Sequence, residues 1–143
     1  MKESFFTIAE MEQSKIATAK GIVNVIPPEL EINFQTLIND VLNPIRYQYG
    51  KPINISSGYR SKELNEAVGG VSTSHHTGIN GSAAADITIG KRQDNKILFQ
   101  LIYKMVKSKE ISVDQLINEN NYLWIHISTK IDKKQNRNQI FAI

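Results

Sequence analysis

The order of two hydrophobic periodicities along the chain is the feature that most constrains its fold. Apolar residues first recur at helical spacing, at Phe34, Leu37, Ile38, Val41, Leu42 and Ile45. A second amphipathic helix is predicted around 97–106, and short strand-like runs occur at 53–57, 84–89, 113–118, 124–128 and 139–143. Helices that lie mostly in the first half, with short strands between and after them, predict an α+β domain with a small, largely antiparallel sheet.

Capping and turn residues predict where several helices begin and end. Thr7 and Glu10 have the spacing of a capping box, and Ser14 can cap a second short helix. Gly50 lies where the long helix would need a C-cap. Pro44 falls inside the periodic pattern of that helix, so a kink or a restart is expected there.

The bulk composition limits the size and the chemistry of the protein. A chain of 143 residues fits a single domain, over residues 1–143. Because it has no cysteine, disulfides and thiolate zinc sites are excluded, and a transition metal would need His, Asp or Glu. No apolar run approaches the roughly 20 residues that span a bilayer, so no membrane insertion is expected. The net charge of +3 is mild and its basic residues are dispersed except at 130–137, so no nucleic-acid partner is expected.

The three histidines are the first candidates for chemistry. His75 and His76 are adjacent in a Ser/Thr/Gly-rich stretch typical of a loop, where core packing explains them poorly. His126 lies in a strand-like run whose alternation puts Trp124, His126 and Ser128 on one face.

Asp86 is a second candidate, because it enters an apolar strand directly after three alanines. Burying an unpaired carboxylate is costly, so a cation or hydrogen-bond donors are expected beside it. Two histidines and a carboxylate form a common catalytic zinc set that leaves one position for water. The residues alone also allow a structural interpretation, in which His126 is a hydrogen-bonded sheet histidine and Asp86 caps a turn.

Arg60 follows the end of a predicted strand at a strand-to-helix corner. Gly58 turns the chain there, and Ser61 can cap the helix that follows. An arginine fixed at such a corner can bind a carboxylate through two parallel hydrogen bonds. A surface ion pair is the alternative.

Taken together, these motifs resemble the zinc D-alanyl-D-alanine carboxypeptidase family. The similarity is carried by INISSGYRS at 53–61, LNEAVGGV at 64–71, Ser74-x-His76, AADI at 84–87, DQLINE at 114–119 and WIHIS at 124–128. The resemblance covers nearly the whole chain in order. It implies the Hedgehog/DD-peptidase fold, which Hedgehog-type domains and phage cell-wall endolysins share.

The resemblance also implies a cofactor and the residues of a site. Zinc would be held by His76, Asp86 and His126. Arg60 would pair with a carboxylate or a polarised carbonyl of the substrate, and Ser74 would bind the substrate or support the first ligand.

The spacing within the first zinc motif differs from the family pattern. His76 and Asp86 are ten residues apart, which is longer than usual in the family. Asn80 and Gly81 form a strong turn signal, so the additional residues are expected to loop out without moving the ligands. His75 stays open as the alternative ligand.

The catalytic base is not marked by its usual position. Relatives often carry an acid or a histidine three residues before the last ligand, where this chain has Leu123. Glu119, in the segment leading to the His126 strand, is therefore predicted as the base, with Asp114 as the alternative. Trp124 is expected to pack or to form a shelf for the substrate.

The function implied is a zinc peptidase of the D-Ala-D-Ala carboxypeptidase type, acting as a monomer on peptidoglycan stem peptides. An endopeptidase or phage endolysin that uses the same site, and a non-catalytic zinc-binding recognition module, are the alternatives. The first residues lack the apolar core of a secretory signal. Cytoplasmic synthesis is expected, with action on the cell wall after phage or prophage lysis, or on recycled wall peptides.

Overall fold

A five-stranded sheet carries the architecture. In the computed structural model, which describes residues 3–143, the strands are β1 (Asn54–Ser57), β2 (Ser82–Thr88), β3 (Gln115–Glu119), β4 (Trp124–Lys130) and β5 (Gln139–Ala142). Their order across the sheet is β1-β2-β4-β3-β5. Every neighbouring pair is antiparallel except β3 and β5, which are parallel. The predicted α+β class and largely antiparallel sheet are confirmed.

Residues 3–143 contain six α-helices: α1 (Ile8–Glu12), α2 (Lys15–Lys20), α3 (Glu31–Leu37), α4 (Asn43–Tyr49), α5 (Lys62–Ala67) and α6 (Arg92–Lys107). Short 3₁₀ turns occur at Pro28–Leu30, His75–Thr77, Ile79–Gly81 and Lys133–Gln135. The predicted side-chain caps of Thr7, Ser14 and Ser61 are all present. Within residues 3–143, none of the helices combines the length and the apolar character that crossing a membrane requires.

A π-helical segment, Ile38–Leu42, joins α3 to α4. Pro44 lacks an N–H group and its ring crowds the preceding turn, so a regular α-helix cannot continue through it. The wider turn accommodates this, because the N–H of Asn43 bonds back to the carbonyl of Ile38. The expected restart at Pro44 is therefore confirmed. Gly50 ends α4 in the left-handed conformation, with φ of 78°.

One face of the sheet forms the core. Six of its side chains are completely buried: Ala83, Ala85, Ile87, Leu116, Ile125 and Ile127. Phe34 and Leu37 of α3 and Leu98 of α6 are also completely buried in the same hydrophobic cluster. Each large apolar side chain buried here stabilises the fold by about 1.5–3 kcal/mol. This packing fixes the sheet as a rigid base.

The opposite face carries polar residues brought together by strand register. Asp86 on β2 lies directly across from His126 on β4. His126 in turn pairs with Ile117 on β3, and Glu119 pairs with Trp124. Because directly paired residues project from the same face, this surface gathers side chains from three strands.

Candidate metal centre

His76, Asp86 and His126 converge on one point of the polar face. Nε2 of His76 lies 3.2 Å from Oδ1 of Asp86, and Nδ1 of His126 lies 3.1 Å from the same oxygen. One ligand atom from each residue lies within 4.8 Å of the other two. The two imidazole rings meet edge to face with centroids 5.1 Å apart. Such a cluster can hold a metal ion.

Three different elements supply these side chains. Asp86 and His126 come from paired positions of β2 and β4, so sheet register sets their separation. His76 comes from the 3₁₀ turn that precedes β2, and the Oγ atom of Ser74 caps that turn by accepting the His76 N–H at 3.3 Å. The side chain of Asn33 in α3 donates to the carbonyl of Gly78 at 3.1 Å and so holds the far end of the turn.

The carbonyl of Gly58 orients the imidazole of His76. Nδ1 of His76 donates to this oxygen at 2.6 Å. Occupying one ring nitrogen in this way leaves the other, Nε2, free to bind a metal. Gly58 is itself closely packed, because a Cβ atom at this position would lie 2.5 Å from the carbonyl oxygen of Met11.

Asp86 is buried, with 6% of its surface exposed. Burial acts to raise its pKa, but attraction to His76 and hydrogen bonds with His126 and His76 outweigh burial. The pKa of Asp86 is consequently held well below its usual range. The two imidazoles and the carboxylate together offer two nitrogens and one oxygen, which are ligand atoms that zinc accepts.

Arg60 contacts the same carboxylate from the other side. Its NH2 group lies 3.6 Å from Oδ2 of Asp86. Nε donates to Oγ of Ser57 at 3.2 Å, and NH1 donates to Oδ1 of Asn65 at 3.4 Å. The backbone N–H of Arg60 also donates to the carbonyl of His76 at 2.8 Å. The guanidinium is therefore fixed beside the cluster while retaining unused N–H groups.

A cleft of about 530 Å³ opens beside the histidines. Its walls include Ser74, His75, Glu119, His126, Lys130 and Arg137. A separate groove of about 970 Å³ runs along α2 and β1, and Arg60 lies in its wall. The cleft thus reaches the cluster at His126, whereas the groove is lined by Arg60 and by none of the three cluster residues.

The structure separates the two candidate bases. Glu119 lines the cleft, and one of its carboxylate oxygens, Oε2, accepts a hydrogen bond from the indole N–H of Trp124. Asp114 is fully buried and does not line the cleft. Its oxygens accept Nε of Arg137 at 3.0 Å and NH2 at 2.7 Å. Of the two, only Glu119 faces the space where a substrate could lie.

The structure also separates the two candidate histidine ligands. Nδ1 of His75 lies 3.4 Å from Oδ2 of Asp114, away from the three-residue cluster. Burial lowers the pKa of His75 despite the opposing attraction of Asp114. Burial likewise acts to raise the pKa of Asp114, but hydrogen bonds from Arg137 lower it below its usual range. His76 is therefore the member of the pair that joins the cluster.

Comparison with known families decides the assignment. A family model described as Peptidase M15 matches residues 4–128. The chain belongs to the peptidase M15 family. Peptidases of this family depend on zinc, which confirms the predicted cofactor and agrees with the donor set of two imidazoles and one carboxylate. A search of curated proteins finds no significant match to the chain.

The sequence analysis of this M15 peptidase missed three contacts, of which one had a signal in the sequence. The Gly58 carbonyl that orients His76 is a backbone group, which no side-chain motif reveals. The bond from Trp124 to Glu119 could have been found, since a hairpin between them would make them direct partners. The bond between Asp114 and Arg137 depends on how the tail returns to β3, and no local signal predicts that return.

Proposed function

We propose that this M15 peptidase hydrolyses peptidoglycan stem peptides that contain D-alanine, in the manner of a D-Ala-D-Ala carboxypeptidase. The supporting observation is that Glu119 and the cluster of His76, Asp86 and His126 share one face of the sheet beside an open cleft. A zinc ligand set with a nearby free acid is the arrangement that amide hydrolysis needs.

Each residue then has a defined task. Zinc, when bound, supplies a Lewis acid that polarises a carbonyl and lowers the pKa of a coordinated water to about 7. His76, Asp86 and His126 hold the ion. Glu119 takes a proton from the attacking water at its carboxylate and later gives that proton to the nitrogen of the leaving amine. Trp124 keeps the carboxylate oriented for both transfers.

Arg60 is proposed to bind the terminal carboxylate of the substrate. Three of its five N–H groups contact Ser57, Asn65 and Asp86, so its position is set before substrate arrives. The remaining N–H groups can reach a carboxylate without reorganisation of the side chain, which lowers the entropic cost of binding. A free C-terminal D-alanine is the substrate group that matches this cation.

Endopeptidase activity is a second candidate, and one feature favours it. The groove that contains Arg60 continues past it along Ser14, Ile16 and Leu64, where further substrate residues could lie. In that case Arg60 would bind the scissile carbonyl instead of a terminal carboxylate. We propose in either case that the protein acts as a monomer on cell-wall material.

The test is to measure bound zinc and the cleavage of defined stem peptides. Purified without a chelating tag, the protein is expected to hold about one zinc and to release D-alanine from a peptide ending in D-Ala-D-Ala. Glu119→Gln should keep the zinc and lose hydrolysis by about 100-fold or more. Cleavage only of a cross-linked dimer would assign the endopeptidase. Zinc without cleavage of any stem peptide would assign a recognition module.

A further inference from the structure

We propose that Lys130 and Arg137 form a second carboxylate-binding site, at the end of the cleft away from Glu119. This inference rests on the proposed function, because it concerns the substrate of the same site. It defines the substrate further as a peptide that carries a free, non-terminal carboxylate several residues from the scissile bond.

The position of Lys130 follows from the period of β4. Trp124, His126, Ser128 and Lys130 alternate onto one face of that strand. At about 3.4 Å per residue, Trp124 lies about 7 Å from His126 in one direction and Lys130 about 14 Å in the other. The acid and the cation are therefore at opposite ends of the cleft, with the metal centre between them.

The charge of Lys130 is not balanced by a carboxylate of the described residues, unlike that of Arg137, which pairs with Asp114. Lys130 makes no ion pair with a carboxylate among residues 3–143, although it is half-buried in the cleft wall. Among the described residues, Glu119 is the one carboxylate that lines the cleft. It lies at the end of the cleft opposite Lys130. An ammonium group that is partly desolvated and unpaired favours an incoming anion.

Arg137 provides a second, pre-positioned donor. Its Nε and NH2 groups are bound to the buried carboxylate of Asp114, while 48% of the side chain stays exposed. NH1 is not used in this pair, so the guanidinium can donate to a ligand without leaving Asp114. The backbone beside Lys130 is equally fixed, since its N–H donates to Oδ1 of Asn136 at 2.9 Å.

The distance between Lys130 and the metal centre sets how far the substrate's internal carboxylate must lie from the scissile bond. An extended peptide covers about 3.3–3.6 Å per residue, so about 14 Å corresponds to about four residues. The reach of the lysine side chain reduces this to about two to four residues from the scissile bond. Stem peptides with a free carboxylate on an internal residue fit this requirement, and those with the same group amidated do not.

The experiment compares two synthetic stem peptides that differ only in one internal carboxylate, free in the first and a primary amide in the second. Dissociation constants are measured by calorimetry with zinc-loaded Glu119→Gln protein, so that neither peptide is consumed. We expect the free acid to bind about 5- to 10-fold more tightly. Lys130→Met should lower this ratio toward 1, with Arg137 retaining the smaller part of the preference, and Lys130→Arg should preserve it. Lys134→Met, an exposed lysine of the same tail outside the cleft, is the matched control and should preserve the ratio.

Equal affinities for the two peptides, or a ratio that Lys130→Met leaves unchanged, would overturn the second carboxylate site, as would failure of both peptides to bind. Hydrolysis by the wild-type protein is followed in parallel with the same peptides. If hydrolysis is absent while the binding preference exists and depends on Lys130, the proposed function fails and the carboxylate site stands. Circular dichroism of each variant shows that a lost preference does not come from a lost fold.

Discussion

The indole N–H of Trp124 donates a hydrogen bond to Oε2 of Glu119 across the β3–β4 hairpin. The two residues are direct partners in the antiparallel register, so the contact is built into the pairing of the strands. It gives the acid in the cleft a defined orientation. Trp124 lies two positions along β4 from His126, a member of the candidate metal cluster.

Replacing Trp124 by Phe tests this orientation. The substitution keeps an aromatic ring and removes the donor, so the carboxylate of Glu119 gains rotational freedom. We expect kcat to fall about 10-fold, with KM changed little and zinc content unchanged. Steady-state kinetics with zinc analysis provide the measurement. Leu123→Ala, at an exposed neighbouring position, is the control and should behave as the wild type. An unchanged kcat in Trp124→Phe would show that the hydrogen bond is irrelevant to catalysis.

The adjacent histidines should respond differently to substitution. His76→Ala removes a nitrogen from the metal cluster and is expected to lose zinc, whereas His75→Ala is expected to keep about one zinc per chain. Elemental analysis after dialysis measures both. Zinc retained in His76→Ala and lost in His75→Ala would reverse the assignment of the ligand.

Removal of zinc should lower the thermal stability of the wild-type protein. An ion that binds only the native state stabilises it by about 4 kcal/mol when its free concentration is 1,000 times the dissociation constant. We therefore expect a chelator to lower Tm and added zinc to restore it. In Asp86→Asn, which lacks the charged ligand, Tm should be insensitive to both treatments. A chelator effect of equal size in that variant would contradict the cluster as the site.

Gly58→Ala should affect stability and metal binding together. The new methyl group would meet the backbone of Met11 at 2.5 Å, and backbone atoms cannot move aside cheaply. We expect a loss of about 1–3 kcal/mol in the free energy of unfolding, and weaker zinc binding because the Gly58 carbonyl orients His76. Urea denaturation and zinc titration measure the two effects. Gly50→Ala is the comparison, because a Cβ there meets no atom within 4 Å and only its left-handed backbone is strained.

Asp114 should make the stability of the protein depend on acid pH. Burial acts to raise its pKa, but the hydrogen bonds from Arg137 lower it below the unfolded value of about 3.9. A carboxyl with a lowered folded pKa contributes stability that is complete above about pH 4 and is lost as the pH falls further. At pH 7 we expect Asp114→Asn to cost about 1–2 kcal/mol, discounted because Arg137 is half exposed.

The difference between wild type and Asp114→Asn should then shrink between about pH 4 and pH 2. Urea denaturation at pH 7, 5 and 3 measures it. Asp40→Asn is the control, because Asp40 pairs with Lys133 on the exposed surface and its loss should cost about 0.5 kcal/mol or less. A difference that stays constant with pH would show that the charge of Asp114 does not stabilise the fold.

Much of this arrangement could be predicted because its signals are local. The strands were located from alternation and from β-branched residues, and the helix caps from Thr7, Ser14 and Ser61, which act within three residues. Adjacent loop histidines and an aspartate inside an apolar strand indicated candidate ligands, and the family resemblance then selected His76, Asp86 and His126, which the structure brings together. The meeting of Asp86 and His126 depends on the pairing and register of β2 and β4, which the resemblance implied and the periodicity alone did not give.

What could not be predicted depends on contacts between distant parts of the chain. The parallel pairing of β5 with β3 is one example, because no short-range signal distinguishes it from an antiparallel hairpin after the tail. Asp114 is another: it falls in a predicted strand, and only the return of the tail places Arg137 on its carboxylate. The precise extent of the π-helical segment is a third, since the sequence indicates a break at Pro44 and not the form it takes.

The carboxylate of Asp86 has its two oxygens assigned to different partners, the histidines at Oδ1 and Arg60 at Oδ2. A ligand that polarises or moves one oxygen therefore changes the charge and the position of the other. If Arg60 captures a substrate anion as proposed, that capture and the occupation of the metal centre are thermodynamically linked, with a single coupling free energy between them. Zinc should bind more tightly, or less, in the presence of a substrate carboxylate by the same factor that the carboxylate gains or loses when zinc is added. One bridging side chain would then make zinc binding and the recognition of the substrate reciprocal events.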